Sequence, residues 1–189
     1  VDSIFYCDPD ARLKIVECSM KEKSGIVLSS LAGAVSLDSV RVSLPRMTLT
    51  TPDSNVEMEC DMDLNAFDVK NPGKVYLRFF AEIGKQDVMR FAGDMPQQFI
   101  MRYPNHPISV RLSLNGNMNH ARISAFDVSL PTAFKLNAEG YAVNPTDIKR
   151  MKAEMRLRGT TYNIGFLTAL APMPSNIRIP SGISLAAHL

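Results

Sequence analysis

The side chains able to do chemistry are few and scattered. His106, His120 and His188 stand far apart, with no second histidine at i, i+4 and no cysteine pair nearby, so no zinc site is expected. His106 and His120 fall in turn-like stretches that suit solvated imidazoles. Cys7, Cys18 and Cys60 are an odd number without a C-x-x-C pair, which argues against a zinc knuckle or a disulfide framework. Cys18 and Cys60 sit beside apolar residues at alternating positions, so both are expected as small buried hydrophobes. There is no G-x-S-x-G elbow, glycine-rich phosphate loop or H-E-x-x-H, and the many serines lie on polar strand faces. The sequence is therefore read as no enzyme, with no metal and no cofactor.

Two charged features remain. Glu57, Glu59, Asp61 and Asp63 form an acidic stripe about 20 Å long at strand rise. Paired carboxylates could hold a hard cation or act as acid and base. Strict alternation needs polar residues on that face anyway, and a solvated surface is preferred. Lys149, Arg150, Lys152, Arg156 and Arg158 form the second feature. They could meet phosphate groups, lipid or nucleic acid, but without interleaved aromatics they do not read as a nucleic-acid surface, and an ordinary surface is preferred over contact with anionic headgroups. A net charge of +2 also leaves little reason to expect nucleic acid.

The elements that carry these residues alternate with period two, as strands do. Val56, Met58, Cys60, Met62 and Leu64 point one way, opposite the acidic stripe. Val75, Leu77, Phe79, Ala81 and Ile83 repeat the pattern, as do Ile108, Val110, Leu112 and Leu114, and then Phe134, Leu136, Ala138 and Ala142. Shorter runs, Val40/Val42/Leu44, Met47/Leu49, Met155/Leu157 and Ile183/Leu185, read the same way, and Asn-Pro-Gly at 71–73 and Asn-Gly-Asn at 115–117 mark turns. About a dozen strands are expected, mostly an antiparallel meander. Residues 86–92, with Val88, Phe91 and Ala92 on one side, and residues 163–170 predict two short helices that cap an apolar end or cover an edge strand. Each precedes a Met-Pro, at 95–96 and 173–174, and this 78-residue offset also lays Val75/Leu77/Phe79 on Ala153/Met155/Leu157. The expected organisation is a partial unit at 1–32, one β-repeat at 33–118, and a second at 119–189 that includes the start of another, each repeat near 80 residues (~80).

One-sided strands must bury their apolar faces. With 189 residues, 46% of them hydrophobic, and only two short helices as covering layers, one solution is a strongly curved sheet whose inner face is a trough. Eleven methionines and no tryptophan suit a lining that adapts to flexible ligands. An acyl chain of about 16 carbons buried at ~0.8 kcal/mol per methylene gives on the order of 12 kcal/mol before ordering costs. The expected lining is Val56, Met58, Cys60, Met62, Leu64, Val75, Leu77, Phe79, Ile83, Val110, Leu112, Leu114, Phe134 and Leu136.

Three segments extend this reading. Lys21-Glu22-Lys23-Ser24-Gly25 followed by Val27-Leu28, then Leu49-Thr50-Thr51-Pro52-Asp53-Ser54, and the block from Met173-Pro174 to Ile179-Pro180 resemble the translocation and assembly module (TamB) proteins of the AsmA-like superfamily in Gram-negative bacteria. The resemblance implies an all-β fold, a curved antiparallel groove or β-taco built from repeats. It implies a periplasmic location, in a parent protein anchored in the inner membrane, and carriage of phospholipid between the inner and outer membranes. Contact with outer-membrane assembly proteins is a further implied partnership. No run of about 18 apolar residues and no signal peptide is visible, so the chain reads as an internal segment without its own anchor. In an oxidising periplasm its cysteines would be buried thiols. Two other functions are weighed: a scaffold engaging client strands at an open sheet edge, and an adhesin-like β-sandwich in which the Val56–Leu64 and Val75–Ile83 faces pack on each other.

Overall fold

Alternating side chains turn each long run into a strand with two unlike faces, and tight turns between most runs force antiparallel neighbours. The computed structural model describes residues 3–7, 10–22, 27–68, 70–144, 150–170 and 184–188. The strands are β1 (Ser3–Cys7), β2 (Asp10–Lys21), β3 (Val27–Leu37), β4 (Arg41–Thr50), β5 (Asn55–Asp63), β6 (Val75–Ile83), β7 (Ile108–Gly116), β8 (His120–Leu130), β9 (Phe134–Val143), β10 (Lys152–Thr161) and β11 (Ser184–His188). All eleven lie in one sheet in chain order, so the fold is an open, curved antiparallel meander.

Local chemistry sets where strands stop. Asp38 Oδ1 accepts the N–H groups of Val40 and Arg41 between β3 and β4. Thr51 Oγ1 accepts those of Asp53 and Ser54 between β4 and β5, and Asn117 Oδ1 those of Asn119 and His120 between β7 and β8. Short polar side chains thus replace ladder partners at these three reversals. Register shifts bend the strands where an extra residue enters, between Leu44 and Met47, where Pro45 has no N–H to offer, and between Ile123 and Phe126. Gly140 faces the Glu154 carbonyl oxygen so closely that a Cβ there would overlap it, so this crossing of β9 and β10 requires glycine.

The helical segments are α1 (Lys85–Phe91), α2 (Gln97–Arg102) and a 3₁₀ helix (Gly165–Ala169). Three points differ from the sequence expectation. The segment at 163–170 forms only a 3₁₀ turn, and α2 was not anticipated because it is six residues long and follows Pro96. In α1 the inward residue is Asp87, 3% exposed, whereas Phe91 is 73% exposed. Hydrogen bonds to Asp87, described below, decide that orientation over hydrophobicity.

The succession of three strands, a helical segment and a strand occurs twice, in β4 to β7 and in β8 to β11. Residues 32 and 33 both lie within β3 and residues 118 and 119 between β7 and β8, so the sheet runs through both positions. The Met173-Pro174 and Ile179-Pro180 segments, Lys149 and the 23–25 stretch lie outside the described residues.

A conventional core is missing from this layer. Among the described residues the buried hydrophobics are Ala66, Ala81, Phe99, Tyr103, Leu130, Ala133, Ala138 and Phe166, of which five form one cluster at the helical end. The Val56–Leu64 and Val75–Ile83 faces do not pack on each other as in a sandwich. They belong to adjacent strands of the same sheet, and Met58 pairs with Phe79.

Candidate functional site: an uncovered apolar face

Cross-strand register converts period two within a strand into continuous apolar rows across strands. One row runs Met47, Met58, Phe79, Leu112, Phe126, Ala138 and Leu157. The next runs Leu44, Cys60, Leu77, Leu114, Ile123, Gly140 and Met155. On either side lie Leu49, Val56, Ala81, Val110, Val128, Leu136 and Gly159, and Val42, Met62, Val75, Gly116, Ala121, Ala142 and Ala153. At a strand spacing of ~4.8 Å these seven strands span roughly 30 Å. Not one polar side chain interrupts the four rows.

The larger side chains on these rows stay half-buried, and only Ala81 and Ala138, sheltered by bigger neighbours, are buried outright. Half-burial of Phe79, Leu112 and Leu136 means that no second layer of described residues lies over them. At one end the face is closed. Ile108 and Phe134 pack against the cluster of Phe99, Tyr103, Leu130, Ala133 and Phe166, so the helical segments fold onto the apolar side.

Of the fourteen residues expected to line a groove, Val56, Met58, Cys60, Met62, Val75, Leu77, Phe79, Val110, Leu112, Leu114 and Leu136 lie on these rows. Ile83, paired with Ile108, and Phe134, paired with Leu130, lie at the helical end. Leu64 lies beyond β5 in a turn, 49% exposed, with its N–H donated to the Val40 carbonyl. Ile123, Phe126 and Val128 were missed. The extra residue between Ile123 and Phe126 keeps both on one face while breaking the alternation that would have revealed them. Val42, Leu44, Met47 and Leu49 of β4, read as short alternating runs but not counted as lining, join the rows through their pairing with β5.

The opposite face is a lattice of opposite charges. The acidic stripe is answered strand by strand: Arg41 lies 3.1 Å from Asp61 and 3.2 Å from Asp63, Arg46 lies 3.3 Å from Glu57, and Arg78 lies 3.7 Å from Glu59. Arg111 faces Asp127 at 4.0 Å and Arg156 faces Glu139 at 3.0 Å. The Lys74 backbone N–H, 2.8 Å from its carboxylate, and then Arg41 hold Asp63 below the usual carboxylate range. Two aromatics on this face lie under guanidinium groups, Tyr76 under Arg78 at 5.7 Å and Phe80 under Arg111 at 5.9 Å. Shallow depressions occur here, such as one of about 370 Å³ lined by Arg46, Glu57, Arg78, Phe80 and Arg111, but ions that already pair with each other fill their rims.

Cys60 sits among the apolar rows, and burial, followed by the Asp61 charge, pushes its thiol up. Cys18 is exposed on β2 rather than buried; it pairs with Leu31 of β3, with a register shift on either side of it that breaks the alternation of faces. None of the three cysteines is bridged. No cluster of metal-ligating side chains occurs among the described residues, and no helix among them is long and apolar enough to cross a membrane. No protein-family profile, curated protein or solved structure matches this chain.

Proposed function

We propose that this chain is a segment of a hydrophobic groove that shields phospholipid acyl chains from water as they pass between membranes. One observation carries the reading: an unbroken apolar face across seven strands, left without a covering layer among the described residues. A face of that size exposed to water is strongly unfavourable, and soluble proteins expose such patches where something binds. Acyl chains match its chemistry, because they are apolar, flexible and without hydrogen-bonding demands. No bond is made or broken, since the groove lowers the cost of moving hydrocarbon through water. The proposal keeps the chain as a periplasmic segment of a TamB- or AsmA-like protein anchored in the inner membrane, with phospholipid as its partner and outer-membrane biogenesis as its setting.

The test is native mass spectrometry after incubation with phosphatidylethanolamine–phosphatidylglycerol vesicles. The wild-type protein is expected to retain phospholipid, and Leu77→Asp or Leu112→Asp to lose most of it while keeping a β-rich circular-dichroism spectrum. A wild-type protein that emerges free of lipid would overturn the proposal.

A second reading has its own observation. β1 forms one edge of the sheet with every residue exposed, including Ile4, Phe5 and Tyr6, and nothing on it deters a further strand. That supports a scaffold that receives client strands of outer-membrane proteins. Cross-linking of β1 to such a client in the absence of lipid would favour it.

A further inference from the structure

We infer that α2 is a hinged cap over one end of the apolar face, held shut by aromatic packing and loosened by a hydroxyl that this packing leaves without a partner. Its role as a gate rests on the groove reading above; its motion does not.

Six residues are too few to hold a helix alone, so α2 stays in place only through what it touches. Phe99, and Tyr103 just past its end, stack with Phe166 of the 3₁₀ helix, with ring centroids 5.6 Å (Phe99–Tyr103), 5.6 Å (Phe99–Phe166) and 5.3 Å (Tyr103–Phe166) apart. Leu130 and Ala133 complete the cluster, and Ile108 and Phe134 lead from it onto the strands. The backbone of α2 runs closest to the 3₁₀ helix, not along any strand. Its outer side leaves Met101 and Ile100 exposed.

The chain on its N-terminal side passes through Gly93, at φ +66° in open space, with exposed Phe91 and Asp94 nearby. A glycine at positive φ with nothing near its Cβ position can absorb the dihedral change a swinging segment needs, once the 2.8 Å hydrogen bond from the Met95 N–H to its carbonyl and the packing of Met95 on the cluster are released. Pro104 and Pro107 stiffen the far side, and Lys85 Nζ, 2.9 Å from the Tyr103 carbonyl, tethers it.

The Tyr103 hydroxyl is enclosed and has no hydrogen-bond partner among the described residues. Buried hydroxyls nearly always have one, and an orphan disfavours the closed state relative to an open one in which water solvates it. Burial also pushes the phenol pKa up, so it stays neutral. The aromatic stack pulls the cap shut and the stranded hydroxyl pushes it open. Opening lengthens the apolar face by Ile108, Leu130 and Phe134 and gives hydrocarbon a way past this end. Closing seals it.

The test compares hydrogen exchange at residues 97–103 in the intact protein, without lipid, between wild type and Tyr103→Phe. Removing the orphan hydroxyl is expected to slow exchange there by on the order of tenfold, with β6 and β7 unchanged. Phe99→Ala is expected to speed it at the same residues and in the 3₁₀ helix, whose Phe166 stacks on Phe99. Loading of a fluorescent phospholipid from phosphatidylethanolamine–phosphatidylglycerol vesicles is expected to slow in Tyr103→Phe by a similar factor. Unchanged or faster exchange in Tyr103→Phe would overturn the inference, because the hydroxyl would then have a stabilising partner. Slower exchange with unchanged loading would overturn the gate. Wild-type protein that takes up no lipid would overturn the groove reading, while the exchange data would still decide whether the cap moves.

Discussion

Two strand–helix junctions solve one problem by opposite means. After β6 and again after β10 the chain leaves the sheet and enters a short helical segment beside a hairpin turn. At the first, Asp87 of α1 is buried and accepts hydrogen bonds from Thr51 and from Ser54, at 2.5 Å, while pairing with Arg90 at 2.9 Å. Ser54 Oγ also accepts the Gly84 N–H at 3.1 Å. A carboxylate thus ties the β4–β5 turn to the start of α1. At the second, the Tyr162 and Asn163 N–H groups donate to the Ala133 and Thr132 carbonyls, and Phe166 supplies the rest by packing with Phe99 and Tyr103. A polar lock is directional and depends on protonation, whereas an aromatic one tolerates shifts and responds to volume. The difference fits a molecule whose first helix is anchored and whose second closure shares its contacts with a movable neighbour.

The largest expected effect is at the aromatic junction. Phe166→Ala removes the ring shared by Phe99 and Tyr103 and should cost about 3–5 kcal/mol in urea unfolding, with exchange protection lost first in the 3₁₀ helix and α2. Asp87→Ala comes next, at about 2–4 kcal/mol, because it strands Thr51, Ser54 and Arg90 together, and its exchange signature should centre on α1 and the β4–β5 turn. Should both variants loosen both junctions equally, the contrast between them would be lost.

The same contrast has a pH signature. Burial pushes the Asp87 carboxyl up, but hydrogen bonds from Ser54 and Thr51 and the Arg90 charge outweigh it, and the group titrates below the ordinary carboxylate range. Its stabilisation is therefore complete above the unfolded value near pH ~3.9 and is lost as pH falls through the lower folded value. Amide exchange in α1 should accelerate relative to the 3₁₀ helix as pH falls below about 4, and Asp87→Asn should abolish that acceleration. The smallest effect belongs to the charged face. Its pairs are exposed, so Arg111→Ala should change stability by under about 1 kcal/mol, and added salt should move the unfolding midpoint little.

The architecture was legible because strand periodicity is a local signal, and runs such as Val56–Leu64 carry it without interruption. Legibility failed wherever one residue was inserted or a polar group was satisfied at a distance. The bulge in β8 hid Ile123 and Phe126 from the groove. Asp87 reads as a surface residue until the Thr51-Pro52-Asp53-Ser54 turn, more than thirty positions earlier, is brought against it. Cys18 read as buried because its neighbours alternate, but the register shifts beside it are set by pairing with β3, which no local pattern reports. The emptiness above the apolar face, among the described residues, is a property of what is absent, and it emerged only once all the strands were seen in one sheet.

Cys60 provides the most direct measurement of that emptiness. It lies among the apolar rows, half-buried, between Leu44 and Leu77, while Cys7 and Cys18 are exposed on β1 and β2. Maleimide labelling read by peptide mass spectrometry reports all three thiols in one sample, with and without phosphatidylethanolamine–phosphatidylglycerol vesicles. An uncovered groove predicts that Cys60 reacts slowly but measurably in the lipid-free protein, and that vesicles protect it at least about tenfold while Cys7 and Cys18 are unaffected. A Cys60 that reacts equally well with and without lipid, or one that is inert in both, would contradict it.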